Sequence, residues 1–208
     1  MRNLPVSLTS FEGLPVLAPT SGETYRYYPY YLAKNRELLN TMLSHHSKVL
    51  FLRFDLHFPQ TERWLAPTSS LSGFLNMYRR LLVERHFDPQ YMIRMEQQTS
   101  INPHFHVVLL LNGNKAQFPY FHKQEAGRLW QRVLNVEANG LTDFCNRDSW
   151  GYPLPEGIMI VRPSSCETWE TNEYREAFRI MSYLAKHVPE DRIPSYQRKV
   201  FCSLNNRV

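Results

Sequence analysis

The stretch NPHFHVVLLL, residues 102–111, decides how this chain folds. His104 and His106 are separated by Phe105, so in a β-strand the two histidines lie on one face and Phe105 lies on the other. The apolar residues 107–111 continue the strand, and Val107, Leu109 and Leu111 share the face of Phe105. Residues 91–98 alternate in the same way, and a short polar turn joins the two segments. The pair therefore predicts an antiparallel hairpin with one apolar and one polar face.

The hairpin belongs to a longer series of elements. The patterns predict helices at about 29–44, 69–85, 121–136 and 172–188, and strands at 48–58, 91–98, 104–111 and 158–162. Strands that pair as a hairpin and are elsewhere separated by helices predict an α+β fold, an antiparallel β-sheet with helices packed on its faces. Residues 1–24 hold three prolines and two glycines and are expected to form an irregular lead-in. Residues 25–208 are expected to form a single domain.

Composition limits the classes of function. The formal charge is +5, and 18 of the 24 basic residues are arginines, whose planar fork suits phosphate oxygens, so a nucleic-acid partner is favoured. The cysteines at 145, 166 and 202 lie far apart without a CxxC pair, which excludes a zinc ribbon and fits a reducing compartment. Without a signal-length or membrane-length apolar run, a cytoplasmic protein with no membrane partner is expected.

The two histidines are candidate metal ligands. His104 and His106 are two residues apart in a strand, so their imidazoles project from the same face and can bind one divalent cation. Glu96 lies across the hairpin turn and reaches the same cation if it pairs opposite His104; Asp55 or His57 of the first strand are alternative third ligands. Mixed imidazole and carboxylate ligands suit Mg²⁺ or Mn²⁺. A coincidental His pair in an ordinary strand remains the alternative.

The last predicted helix carries a tyrosine outside its apolar stripe. Tyr174 lies within the stripe, whereas Tyr183 lies nearly opposite it, on a face shared with Arg175, Arg179 and Lys186. Three cations around a phenol would attract a DNA backbone and stabilise a phenolate. The alternative is a solvated basic face on which the tyrosine is incidental.

These segments together resemble the HUH endonuclease superfamily, which includes rolling-circle replication initiators, relaxases and single-tyrosine transposases. Residues 49–56 resemble its hydrophobic first motif, residues 104–106 its His-hydrophobic-His motif, and Tyr183 with Lys186 its Tyr-x-x-Lys motif. More narrowly, RFDLHFP at 53–59 and KVFCSL at 199–204 resemble the inovirus replication-protein-like prophage group YagK/YfjJ.

The resemblance implies a site and a reaction. A metal ion would be held by His104, His106 and Glu96, Tyr183 would be the nucleophile, and Lys186 would stabilise charge. The implied reaction nicks single-stranded or hairpin DNA and leaves a 5′-phosphotyrosine and a free 3′-hydroxyl, as in rolling-circle replication of a phage or prophage. The residues expected to bind DNA are Arg53, Arg175 and Arg179. Since the chain has no Walker motif, any helicase would be a separate host protein.

Two other functions remain open on the sequence. One is a DNA-binding or regulatory prophage protein that keeps the fold without catalysis. The other is an unrelated metal-dependent hydrolase that uses water as nucleophile. Phe178, Arg179 and Ile180 occupy the positions where two-tyrosine initiators carry their other tyrosine, so the resemblance implies single-tyrosine chemistry on this helix.

Overall fold

A computed structural model describes residues 4–19, 24–147, 154–164 and 169–206; Cys166 lies outside these ranges. The helices in them are α1 (Pro29–His45), α2 (Pro67–Glu84), α3 (Pro119–Leu134) and α4 (Asn172–Met181), none of them long and apolar enough to cross a membrane. The strands are β1 (Val6–Ser7), β2 (Ser10–Phe11), β3 (Leu14–Pro15), β4 (Arg26–Tyr27), β5 (Lys48–His57), β6 (Gln90–Glu96), β7 (His104–Asn112), β8 (Thr142–Asp143), β9 (Ile158–Val161) and β10 (Val200–Cys202).

One antiparallel sheet organises the chain. Its strand order is β10-β6-β7-β5-β8, and β9 pairs with the same edge of β5 as a sixth strand. The predicted α+β class and the β6–β7 hairpin are confirmed. The short strands β8 and β10 were not predicted, because two or three residues at a sheet edge leave no alternation to detect.

Each face of the sheet has its own helices and its own apolar core. On one face, β5 contributes Leu50, Leu52, Phe54 and Leu56, which pack with the buried residues of α2 and α3. On the other face, Val49 and Phe51 pack with the buried residues of α1 and α4. Both cores follow from the period-two alternation of strand side chains. The β5 face that carries Arg53, Asp55 and His57 is therefore apolar at its beginning, at Val49 and Phe51, and polar from Arg53 onwards.

One predicted boundary and the lead-in need correction. The second helix begins at Pro67 rather than near residue 69, because a proline ring at the first helical position presets the backbone angle and needs no amide donor. The described part of the lead-in is not wholly irregular: β1 pairs with β4, and β2 pairs with β3 across a turn in which Gly13 has a φ of +80°. Leu14 and Val16 are buried in the core beside α4, which orders this segment.

The last helix is shorter than predicted. α4 ends at Met181 and is followed by a 3₁₀ turn, Ser182–Ala185, after which the backbone is extended. Carbonyls at this end bind groups outside the helix: the Asn35 amide donates to Met181 (2.9 Å), the Arg94 guanidinium to Leu184 (3.1 Å), and a backbone amide of the α1 entry to Ala185 (2.9 Å). These tertiary bonds replace helical ones and fix the turn against the sheet.

Gly113 is required where the chain leaves β7. A Cβ there would lie 2.6 Å from the Met159 sulfur and 2.9 Å from the Lys48 carbonyl carbon. We predict that Gly113→Ala lowers the free energy of unfolding by about 1–3 kcal/mol, because backbone atoms cannot move aside. Gly73→Ala, in α2 with its nearest neighbour at 3.6 Å, should leave stability unchanged or raise it by up to about 1 kcal/mol. Urea unfolding compares the two; equal midpoints would contradict the prediction.

Candidate active site

Polar side chains form two rows across the hairpin end of the sheet. The first row is Glu96, His104 and His57, and the second row is Arg94, His106 and Asp55. Each row crosses β6, β7 and β5 in that order, so its members are direct cross-strand neighbours. Glu96 pairs opposite His104, which is the register that a ligand role for Glu96 requires.

Glu96, His104 and His106 form a group that can hold a metal ion. Their candidate ligand atoms all lie within 4.8 Å of one another. The Nε2 atoms of the two histidines are 3.1 Å apart, and Glu96 Oε2 is 3.7 Å from His106 Nε2. Adjacent ligands about 2.1 Å from an octahedral ion are about 3 Å apart, so the histidine spacing suits one cation. Glu96 Oε2 is also buried without a hydrogen-bond partner, which a bound cation would satisfy.

Asp55 orients His106 rather than joining this group. Its Oδ2 lies 2.8 Å from His106 Nδ1, on the side of the ring opposite the Nε2 that meets His104 and Glu96. A carboxylate on the far nitrogen of a metal-binding imidazole fixes the ring and raises its basicity. His57 stacks on His104 with ring centroids 5.5 Å apart. Neither Asp55 nor His57, the alternative third ligands, belongs to the three-residue group found among the described residues.

The two imidazoles differ in charge preference. Burial, reinforced by the charge of His106, lowers the pKa of His104 to about 4, so His104 is neutral at pH 7. Burial also disfavours the charged form of His106, but the Asp55 and Glu96 carboxylates together outweigh it and raise the pKa of His106. A cation bound between them would therefore compete with a proton on His106.

The 3₁₀ turn after α4 brings Tyr183 to this site. The centroid of its ring lies 4.8 Å from that of His106, at an interplanar angle of 82°. Two cations flank the same ring: Lys186 Nζ is 4.3 Å from the centroid and the Arg53 guanidinium carbon 4.7 Å. A phenol from the turn after α4 thus meets two imidazoles and a carboxylate from the β6–β7 hairpin on one face of the sheet.

The predicted surroundings of Tyr183 were wrong in two respects. Arg175 and Arg179 do not share its face, because the α-helix ends at Met181; Arg175 donates to the Gly13 carbonyl (3.0 Å), and Arg179 pairs with Glu176 (2.7 Å). The protein's own groups also do not stabilise its phenolate on balance. Burial, reinforced by the charge of Glu96, raises the pKa of Tyr183 above its ordinary value despite the opposing effect of Arg53.

Arg94 is a site residue that the sequence analysis did not select. Its guanidinium donates to the carbonyl of Leu184, the residue after Tyr183, and its Nε lies 3.9 Å from Glu96 Oε2. It is 4% exposed, so it acts as a buried link between β6 and the tyrosine turn. The available signal was its position in the alternating strand, on the same face as Glu96 and between apolar neighbours.

A cavity opens on each side of the paired rows. One, of about 740 Å³, has His57 and His104 in its wall together with Gln60, Gln98 and Asn102. The other, of about 560 Å³, is lined by charged residues that include Arg53, Asp55 and Arg179. Two of the three arginines expected to bind DNA thus line one cavity beside the site.

Comparison with known protein families gives a match for this chain. Residues 10–201 match the model of the YagK/YfjJ C-terminal domain. The chain belongs to this family. No curated protein and no solved structure matches it. The Glu96, His104 and His106 group of this YagK/YfjJ domain is compatible with a metal-dependent enzyme.

The contact between Asp55 and His106 leads to a prediction about the affinity for Mn²⁺. Asp55→Asn should weaken Mn²⁺ binding about 10- to 100-fold, because the imidazole loses the charged acceptor that fixes and polarises it. Isothermal titration calorimetry measures the change. The matched control is Asp88→Asn, which alters another Asp–His pair, with His46 at 2.8 Å, near the opposite ends of β5 and β6. Equal Mn²⁺ affinity in Asp55→Asn and the unaltered protein would contradict an orienting role.

Proposed function

We propose that this YagK/YfjJ domain is a metal-dependent DNA-nicking enzyme of the HUH type, which cuts single-stranded DNA through Tyr183 and stays joined to the 5′ end. The observation that carries the proposal is the contact between the Tyr183 and His106 rings, 4.8 Å apart, beside a three-residue group suited to a divalent cation. Rolling-circle initiation for a phage or prophage is the setting that the HUH resemblance suggests.

The residues divide the proposed reaction among them. Glu96, His104 and His106 would hold Mg²⁺ or Mn²⁺, which when bound polarises a phosphodiester as a Lewis acid. The Tyr183 oxygen forms a bond to phosphorus, the bond from phosphorus to the 3′ oxygen breaks, and that oxygen takes up a proton as the phenol loses one. Lys186 and Arg53 flank the ring, where their charges favour both the DNA phosphate and the developing phenolate.

Because the energy of the broken bond is kept in the phosphotyrosine, the reaction can be reversed. A free 3′-hydroxyl can attack the phosphotyrosine and restore the strand. This reversibility distinguishes the proposed enzyme from a hydrolase that uses water, in which the phenol would form no covalent bond to the DNA.

The test is a covalent adduct. Labelled single-stranded oligonucleotides of varied sequence, incubated with Mn²⁺, should give a species that resists SDS, and EDTA should prevent it. Tyr183→Phe should abolish the adduct, because it removes only the attacking oxygen. The matched control is Tyr25→Phe, since Tyr25 also lies against Lys186, with Nζ 4.8 Å from its ring centroid. That variant should form the adduct at a normal rate.

Other outcomes favour the other functions. Cleavage without an adduct that survives Tyr183→Phe would indicate a hydrolase with water as nucleophile. Salt-sensitive DNA binding that ignores both EDTA and Tyr183→Phe, with no cleavage across the library, would indicate a non-catalytic DNA-binding protein. Either result from folded protein contradicts the nicking proposal.

A further inference from the structure

A second surface beyond the metal group combines exposed apolar residues with arginines. It is a groove of about 370 Å³ between the segment that precedes α2, the β6–β7 turn, and the segment that precedes β10. We call it the basic–aromatic groove, defined by Arg63, Trp64, Leu65, Ile101, Arg192 and Tyr196. Leu65 and Tyr196 are 92% and 90% exposed, which is unusual for large apolar side chains that lie together.

The charge of the groove has one sign. Arg63 and Arg192 line it, and its described lining residues include no aspartate or glutamate. The acids next to these arginines in the chain, Glu62 and Asp191, are not among the lining residues. Asp191 also accepts from Lys199 Nζ (2.8 Å) and from the backbone amide of Gln97 (3.3 Å). The groove therefore presents positive charge to whatever binds there, which favours an anionic ligand.

The walls of the groove are held in place. Trp64 stacks on Phe58 with centroids 5.3 Å apart, and its indole nitrogen donates to Ser70 (2.9 Å). On the opposite wall, the Arg192 amide donates to the Gln97 carbonyl (2.7 Å), which ties the segment before β10 to the end of β6. Because the Trp64 ring and the Arg192 backbone are already fixed, they lose little freedom when a ligand binds.

The groove adjoins the candidate active site. Asn102 lines both the groove and the 740 Å³ cavity whose wall includes His104. The Asn102 side-chain amide donates to the carbonyls of Pro59 and Glu62, both at 2.7 Å. Asn102 is therefore held in place between the groove and the cavity, at the hairpin turn. An extended ligand bound in the groove could continue past Asn102 towards the metal group.

We infer that the basic–aromatic groove binds single-stranded DNA next to the scissile position. Unpaired bases stack on Tyr196 and Trp64, and their phosphates bind Arg63 and Arg192. Aromatic faces interspersed with arginines bind single strands whatever their sequence, because every unpaired base offers a flat face. A duplex hides those faces, so the groove prefers the single-stranded form. The location of this DNA relative to Tyr183 rests on the proposed function; the binding itself does not.

Binding in EDTA tests the groove apart from catalysis. The probe is a fluorescent oligothymidine of about 20 nucleotides, longer than the ~4–16 nucleotides that comparable sites cover. Tyr196→Ala should weaken binding about 5- to 150-fold, the range expected for the loss of one base stack. Arg192→Gln should make the slope of log affinity against log salt about 0.7 less steep, as expected for one lost phosphate contact on a single strand.

Two variants match these changes elsewhere on the surface. Tyr30→Ala removes a tyrosine of α1 that is 52% exposed, and Arg80→Gln removes one positive charge from α2, where Arg80 pairs with Glu84 (2.8 Å). Both should bind the oligonucleotide as the unaltered protein does. Circular dichroism checks that all four variants are folded.

Two results would overturn the inference. One is unchanged oligonucleotide affinity in Tyr196→Ala together with an unchanged salt slope in Arg192→Gln. The other is a dimer in sedimentation that Tyr196→Ala converts to a monomer without loss of DNA affinity, since the groove would then be an interface between copies. The proposed function can fail separately. If no Mn²⁺-dependent adduct forms but Tyr196→Ala weakens oligonucleotide binding, the nicking reaction is rejected and DNA binding in the groove is supported.

Discussion

The register of three antiparallel strands is the constraint on which the site depends. β7 pairs with β6 on one side and β5 on the other, so that Glu96 and His57 flank His104 while Arg94 and Asp55 flank His106. A slip of one residue in either pairing would turn the polar set of that strand to the opposite face, where α2 and α3 form an apolar core. The cores on both faces therefore hold the ligands in place, and the same alternation that folds the sheet assembles the site.

The phenol reaches this sheet through a break in helical structure. If α4 continued as a helix, its carbonyls would be occupied within the helix, and Asn35 and Arg94 would lose their acceptors. Instead, these buried side chains bind Met181 and Leu184 and hold the turn that carries Tyr183. Arg94 thereby connects the carboxylate Glu96 with the segment next to the tyrosine, a link between the metal group and the nucleophile that we propose.

The sequence predicted those elements in which apolar and polar residues follow a regular period. Alternation along β5, β6 and β7 was long enough to predict the hairpin and the face shared by the two histidines. The register that places Glu96 opposite His104 stayed a condition, and the structure supplies it. The end of α4 could not be predicted, because residues 172–188 keep an apolar stripe to Val188 while the bonds that end the helix come from α1 and β6. The assignment of Asp55 to His106 Nδ1, rather than to the metal group, also needed coordinates, since spacing alone does not tell which imidazole nitrogen a carboxylate meets.

If the proposal is right, the hairpin end of the sheet holds a divalent cation within reach of the tyrosine turn. Anomalous diffraction from crystals soaked in Mn²⁺ would locate that cation. We expect an anomalous peak coordinated by Glu96, His104 and His106, on the side of the sheet that faces Tyr183. A Mn²⁺ peak bound elsewhere, for example by Asp143 and Glu156 in the charged cavity, with none among these three residues, would contradict it.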